Sequence, residues 1–190
     1  MSAPAPRVGV FGGSFNPPHV AHVLACHFAL MAWGLDRVVV VPAFSHPFAK
    51  ELAPFEHRLA MARLAFAHLG GTVEVSPLEG ELGGVSYTVD TVRELARRNP
   101  RAALHLVVGS DVAGELHLWR DWEILRELAP PLVVPRMVAG SAAEGQGGAF
   151  HLPAISSSEV RGALARGGDA GLALPRAVRE YIARHGLYAG

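Results

Sequence analysis

Val38-Val39-Val40-Val41 limits the fold more than any other stretch, being four β-branched residues in a row between Arg37 and Pro42. A strand with one wet face alternates apolar and polar side chains, so an unbroken run calls for burial on both faces. Arg7-Val8-Gly9-Val10-Phe11, Thr72-Val73-Glu74-Val75, Ala103-Leu104-His105-Leu106-Val107-Val108 and Leu132-Val133-Val134 read as further strands. Between them lie segments of helical period. Val20, Val23, Leu24, Phe28 and Met31 form the first, stopped by Gly34, and Leu59, Met61, Leu64, Ala65 and His68 the second. A third opens at Thr88 with Val89, Val92, Leu95 and Ala96 on one face. Residues 112–128 read as helix in two pieces around Trp119, and two more helices start at Ser157 and Pro175. Strand alternating with helix predicts an α/β fold, a parallel sheet with helices on both faces.

A length of 190 residues suits one domain, with half of the residues apolar. We expect a single domain over 1–190, with a C-terminal helical part at 157–188. Residues 79–85 are Gly-rich and read as a surface loop, and a short strand is expected near Phe150-His151-Leu152. Residues 137–148, rich in Gly, Ala and Ser and without period, are expected to form a mobile loop.

The net charge is zero, so no field of one sign covers the chain, which argues against a general nucleic-acid binder. The opening Met1-Ser2-Ala3-Pro4-Ala5-Pro6 lacks the apolar core of a signal peptide. No apolar run reaches the roughly 20 residues of a membrane helix. A soluble, cytoplasmic protein without membrane or nucleic-acid partners is expected, and a homo-oligomer is left open. The one cysteine, Cys26, lies in an apolar stretch and reads as a buried thiol. Of 17 basic residues only Lys50 is Lys, a weak hint that its position requires a compact ammonium.

In parallel sheets ligands bind beyond the carboxyl ends of the strands. After the first strand stands Gly12-Gly13-Ser14-Phe15-Asn16-Pro17-Pro18-His19-Val20-Ala21-His22. It is neither a dinucleotide fingerprint nor a P-loop. The two glycines are expected to let the backbone turn sharply beside a ligand, with Asn16 bracing the turn. His19 and His22 sit three apart at a helix start, and two imidazoles beside exposed N–H groups make a place for phosphate oxygens. A zinc site is not expected, because no third ligand lies at close spacing.

A second signal is Ile155-Ser156-Ser157-Ser158-Glu159-Val160-Arg161. Ser156 and Glu159 have capping-box spacing, so a helix starts here, and Arg161 can add a charge-assisted contact. Alone it reads as an ordinary capped helix; paired with the first motif it becomes a second phosphate anchor.

The first motif resembles the G-G-[ST]-F-[DN]-P-x-H-x-x-H signature of the nucleotidyltransferase superfamily, and Ile155 to Arg161 its I-S-S-[ST]-x-[IV]-R partner. More narrowly, the chain resembles the bacterial nicotinate-nucleotide adenylyltransferases. Glu56-His57-Arg58-Leu59-Ala60-Met61, Ser86-Tyr87-Thr88-Val89-Asp90-Thr91, Gly109-Ser110-Asp111 with Trp119 and Trp122, and Leu174-Pro175 through Tyr181-Ile182 to Gly186-Leu187-Tyr188 carry that narrower likeness.

The resemblance implies a single-domain Rossmann-like fold. It also implies adenylyl transfer from ATP to nicotinate mononucleotide, giving deamido-NAD and pyrophosphate by direct in-line displacement. His19 and His22 would be catalytic. They would line an ATP site together with Gly12, Gly13, Ser14, Phe15, Gly109, Asp111, Ile155, Ser156, Ser157 and Arg161. Asn16, Lys50, Tyr87, Thr88, Trp119 and Arg136 would meet the second substrate. Mg²⁺ would arrive with ATP rather than sit in a protein cage.

A helix start at Tyr87-Thr88 would favour the nicotinate anion, and Trp119 would stack on its ring. A plain N-cap and a core aromatic are the alternatives. Asp111 would bind a ribose hydroxyl or else cap a helix, and Arg136 would touch phosphate or else only water. The loop Ser45-His46-Pro47-Phe48-Ala49-Lys50 departs from the family's Pro-Pro-His-Lys-like pattern, though Lys50 still aligns with its Lys. Other readings are a nicotinamide-mononucleotide or other small-molecule adenylyltransferase, or a nucleotide-binding regulator without turnover.

Overall fold

The computed structural model describes residues 4–45, 52–136 and 152–189. Five parallel strands form one sheet: β1 (Arg7–Gly13), β2 (Arg37–Pro42), β3 (Val73–Val75), β4 (Ala103–Gly109) and β5 (Pro131–Val134), in the order β3-β2-β1-β4-β5. β1 pairs with β2 from Val8↔Arg37 to Gly13↔Pro42 and with β4 from Arg7↔Ala103 to Val10↔Leu106.

The valine run is buried on both faces, as its sequence demands. Val38 and Val40 face the core that also contains Cys26, Met61, Phe66, Val178 and Ile182. Val39 and Val41 face a second core with Val89, Val92, Leu106 and Leu125. None of the four is more than 2% exposed. Each such side chain contributes roughly 1.5–3 kcal/mol before the entropic cost of ordering it.

α1 (Val20–Trp33), α2 (Phe55–Phe66), α7 (Ser157–Ala165) and α8 (Arg176–His185) contribute to the first core. The second is covered by α3 (Leu78–Leu82), α4 (Thr88–Arg98) and α6 (Trp122–Leu128). The chain moves outward from β1 to β3, then crosses back to β4 on the other side of β1. Strand order therefore reverses between β1 and β4, and their carboxyl ends open a crevice there.

Several expectations need correction. Residues 79–85 are not all loop: Leu78–Leu82 is the short helix α3, and Glu79 is buried. The Glu79 carboxylate accepts the Thr91 hydroxyl at 2.7 Å and the Phe44 N–H at 3.1 Å, which ties the segment inward. Met31 is 83% exposed, because the buried face of α1 consists of Ala21, Val23, Ala25, Cys26 and Ala29. Residues 112–128 break into three pieces rather than two: the end of α5 (Ser110–Ala113), a 3-10 turn at Leu116–Leu118, and α6. Leu152 makes an isolated parallel bridge to Arg136, while Phe150 and His151 lie outside the described residues. The segment 137–148 and Lys50 also lie outside them. Among the described residues no helix is long and apolar enough to cross a membrane.

Candidate active site

β1 does not stop at Phe11; it continues through Gly12 and Gly13, which pair with Val41 and Pro42. The sharp turn falls two residues later, at Phe15, whose φ of 46° lies in the left-handed region. That is a correction to the glycine reading. A non-glycine residue is held there because its ring is anchored: Phe15 is 1% exposed and packs edge-on against Phe11 and Phe66. Gly13 serves that anchor, since a Cβ at Gly13 would sit 3.3 Å from the Phe15 ring.

The turn delivers His19 as the N-cap of α1 and His22 in its first turn. Their rings stack with centroids 3.7 Å apart, and the His22 ring also lies 4.9 Å from that of Phe15. The His19 backbone N–H donates to His22 Nδ1 at 3.1 Å. A neutral His22 must then carry its proton on Nε2, leaving that side of the ring as a donor. His19 is 2% exposed, and its Nδ1 is one of two buried side-chain polar atoms without a partner among the described residues.

Burial, helped by the charge of Arg136, lowers His19 from its usual 6.5 to about 4, against an opposing pull from Glu159. His22 is also driven well below its usual range, by burial first and then by His19 and Arg136. Between the folded and unfolded values the unfolded chain binds more protons, so stability rises with pH. This contribution is present above about pH 6.5 and is lost as pH falls towards 4. By pH 5 about 2 kcal/mol of it has been lost for His19. Urea unfolding at pH 7 and pH 5 should show a smaller loss in His19→Gln than in the wild type; equal losses would contradict a neutral His19.

The second motif reaches the same place. Ser156 caps α7 through a complete capping box: its Oγ accepts the Glu159 N–H, and the Glu159 carboxylate accepts the Ser156 N–H at 3.0 Å. The Ser156 hydroxyl also donates to the Glu159 carboxylate at 2.8 Å, and that bond first, with the one from the Ser156 N–H second, holds Glu159 below the usual carboxylate range. The Ser157 hydroxyl donates to the Pro17 carbonyl at 3.0 Å, and Arg161 donates to the Asn16 carbonyl at 2.8 Å. Two segments 140 residues apart are thereby tied together.

Around this junction lies a pocket of about 260 Å³, lined by Ser14, Phe15, Asn16, His19, His22, Leu52, Asp111, Arg136, Ser156, Ser157, Ser158 and Arg161. Asp111 and Arg136 enter it as a pair, with N···O 2.9 Å, and Arg136 also donates to the Ile155 carbonyl. Gly109 has its own reason here: a Cβ on it would overlap the Asp111 carboxylate and the Arg136 Cδ. The pocket thus combines two imidazoles, two guanidinium groups and a helix start. That set can hold a polyphosphate and stabilise negative charge developing on it. Among the described residues no group of three His, Cys, Asp or Glu is placed to hold a metal ion.

Tyr87, Thr88 and Trp119 do not join this pocket. Tyr87 is the N-cap of α4 and Thr88 its first residue. Tyr87 and Trp119 each pack against the second core, and the Arg120 guanidinium lies 4.5 Å over the Tyr87 ring. A separate pocket of about 240 Å³ opens there, bordered by Glu79, Ser86, Tyr87, Asp90 and Thr91 among others.

The model for the cytidylyltransferase-like family matches residues 10–163, which contain both motifs and the whole phosphate pocket. The chain belongs to the cytidylyltransferase-like family. Curated relatives match nearly the whole chain. A protein of Anaeromyxobacter dehalogenans (strain 2CP-C) named "Probable nicotinate-nucleotide adenylyltransferase" is 45% identical over 187 residues, 97% of each chain. A protein of the same name from Myxococcus xanthus is 37% identical, covering 97% of this chain and 96% of its own. Among solved structures, nicotinic acid mononucleotide adenylyltransferase of Plasmodium falciparum, complexed with NaAD, superposes with a TM-score of 0.77. It covers 96% of this chain and 97% of that one, and at 20% identity it speaks for the fold.

In this family member two residues behind the site had no role assigned from the sequence. Arg58, on α2, is 1% exposed and donates to four carbonyls: Ala53 at 2.8 Å, Ser14 at 3.0 Å, Ala43 at 2.6 Å and Phe44 at 3.1 Å. It joins the loop after β1 to the loop after β2. Its sequence signals were its place in Glu56-His57-Arg58-Leu59-Ala60-Met61, which carries the family likeness, and its charge in a helical stretch; neither names the carbonyls it serves. Tyr188 donates to Asn16 Oδ1 at 2.7 Å, which no local pattern foretells.

Proposed function

We propose that this protein transfers the adenylyl group of ATP to nicotinate mononucleotide. A phosphate oxygen of the mononucleotide attacks the α-phosphorus of ATP in line. The bond from that phosphorus to the oxygen bridging to the β-phosphate breaks, and pyrophosphate leaves with the electron pair, giving deamido-NAD. The observation that carries this reading is the convergence of His19, His22, Ser156 and Arg161 on one pocket at the reversal of strand order. The names of relatives 37–45% identical over nearly the whole chain supply the two substrates.

Such a displacement needs positioning and neutralisation of charge more than covalent help. His22 offers a neutral Nε2–H, and the approach of a triphosphate raises the proton affinity of both imidazoles by placing anions beside them. Arg161 and Arg136 face the outer phosphates, and the backbone N–H groups at the start of α7 add their dipoles. Mg²⁺ would come with ATP rather than be held by a cage of this chain's own residues, and would supply neutralisation of the phosphate charge. The Tyr87-Thr88 helix start and Trp119 suit the nicotinate carboxylate and ring on the second-core side of the crevice.

Pyrophosphate release measured in parallel with nicotinate and nicotinamide mononucleotide tests the reading. The acid should be used at least about 10-fold better in kcat/KM, the difference of roughly one charge-assisted hydrogen bond. Equal or better use of the amide would overturn the acid preference, and no release with either would overturn the reaction.

A further inference from the structure

α8 ends at Gly186, and the Leu187 N–H closes back on the Ile182 carbonyl at 3.1 Å. The next residue, Tyr188, takes φ 63°, in the left-handed region that a non-glycine side chain enters at a cost. That conformation sends its phenol towards the far end of the molecule's sequence, onto the Asn16 carboxamide. Asn16 is 2% exposed, and its Oδ1 accepts the Ala53 N–H at 3.1 Å as well as the Tyr188 hydroxyl. Its own carbonyl receives Arg161. Asn16 directly follows the left-handed Phe15 and precedes His19 by three residues, so its orientation bears on where both imidazoles stand.

We propose that Tyr188 is a positioning residue for the transfer, its hydroxyl holding the Asn16 carboxamide and through it the turn that presents His19 and His22. The proposal rests on the adenylyl-transfer reading for its kinetic effect, but not for its structural one. Burial also raises the Tyr188 phenol above its usual range, which keeps it a hydrogen-bond donor at neutral and mildly alkaline pH. A strut of this kind acts on the reacting geometry more than on binding, because small misplacements near the chemistry weigh on kcat.

Tyr188→Phe removes one hydroxyl and keeps the ring. Its kcat should fall about 10-fold with KM for ATP changed less than about 2-fold. Hydrogen exchange should quicken in the turn at residues 13–19 while residues 176–185 keep their protection, a readout that needs no activity. In an Asn16→Ala background the same change should lower kcat no further, whereas a general structural role would lower it again by a similar factor. Unchanged kcat in Tyr188→Phe, or additive losses in the double variant, would overturn the proposal. If Tyr188→Phe does not fold, Tyr188→Leu, which also lacks the hydroxyl, takes its place with the same expected outcomes. Absence of pyrophosphate release in the wild type would instead strike the reaction itself, leaving the exchange result to decide on the strut.

Discussion

Replacing His22 by alanine should lower turnover about 100-fold or more while ATP binding weakens only a few-fold, the pattern of a donor that acts mainly on the transition state. The ring has one free function. Its Nδ1 is committed to the His19 N–H, so Nε2–H is what remains for a phosphate oxygen. The substitution also removes a capping contact at the start of α1, worth on the order of 1 kcal/mol. His22→Gln separates the two effects, because a carboxamide can accept the His19 N–H while offering its own donor to the pocket. Steady-state pyrophosphate release at saturating ATP, with calorimetric ATP binding alongside, makes the comparison. Unchanged turnover in His22→Ala would remove His22 from the chemistry.

Arg58→Met should destabilise the fold by about 3–5 kcal/mol, near the cost of leaving a buried partner uncompensated. The guanidinium is 1% exposed, and the four acceptors it serves are backbone carbonyls drawn from three segments. Burial lowers its proton affinity, opposed by the fields of Tyr188, Glu79 and Glu56. Methionine fills a similar volume but leaves all four carbonyls without a donor. Arg58→Lys keeps the charge yet cannot reproduce the planar fork, so it should fall between the wild type and methionine. Urea unfolding at pH 7 measures the series. A loss below about 1 kcal/mol for Arg58→Met would mean that water replaces the lost donors.

The parts of the site that were legible in the sequence are those built from neighbours in the chain. His19 and His22 come together because three positions on a helix start stack two rings, whatever the rest of the fold does. The Ser156–Glu159 capping box is likewise local, and the structure forms it as its spacing predicts. The four valines announced burial on both faces, and so a covered parallel sheet, because a strand's two faces alternate residue by residue.

Other features depend on what the turn meets after folding. From the sequence, Gly12-Gly13 was expected to make the bend, but the bend sits at Phe15, held by an aromatic cluster that includes Phe66, 51 positions away in a 190-residue chain. The resemblance places Gly109 in the ATP site, and its bareness also makes room for a carboxylate–guanidinium pair between Asp111 and Arg136. Asp111 and Arg136 were considered separately, as a ribose ligand and a phosphate contact, and the structure joins them as one ion pair.

The amino-acid sequence therefore determined the strand–helix alternation, the capped helix start at Ser156 and the imidazole pair, all of which are decided within about four residues. Only the tertiary structure decided that the two motifs share one pocket, that Arg58 ties the loops behind it, and that Tyr188 reaches Asn16 across 172 residues. Local spacing carries information as far as one turn of helix or one strand pair. Which distant carbonyl or carboxamide a buried donor must satisfy is set by packing, because burial leaves each polar group with the partners the fold brings to it.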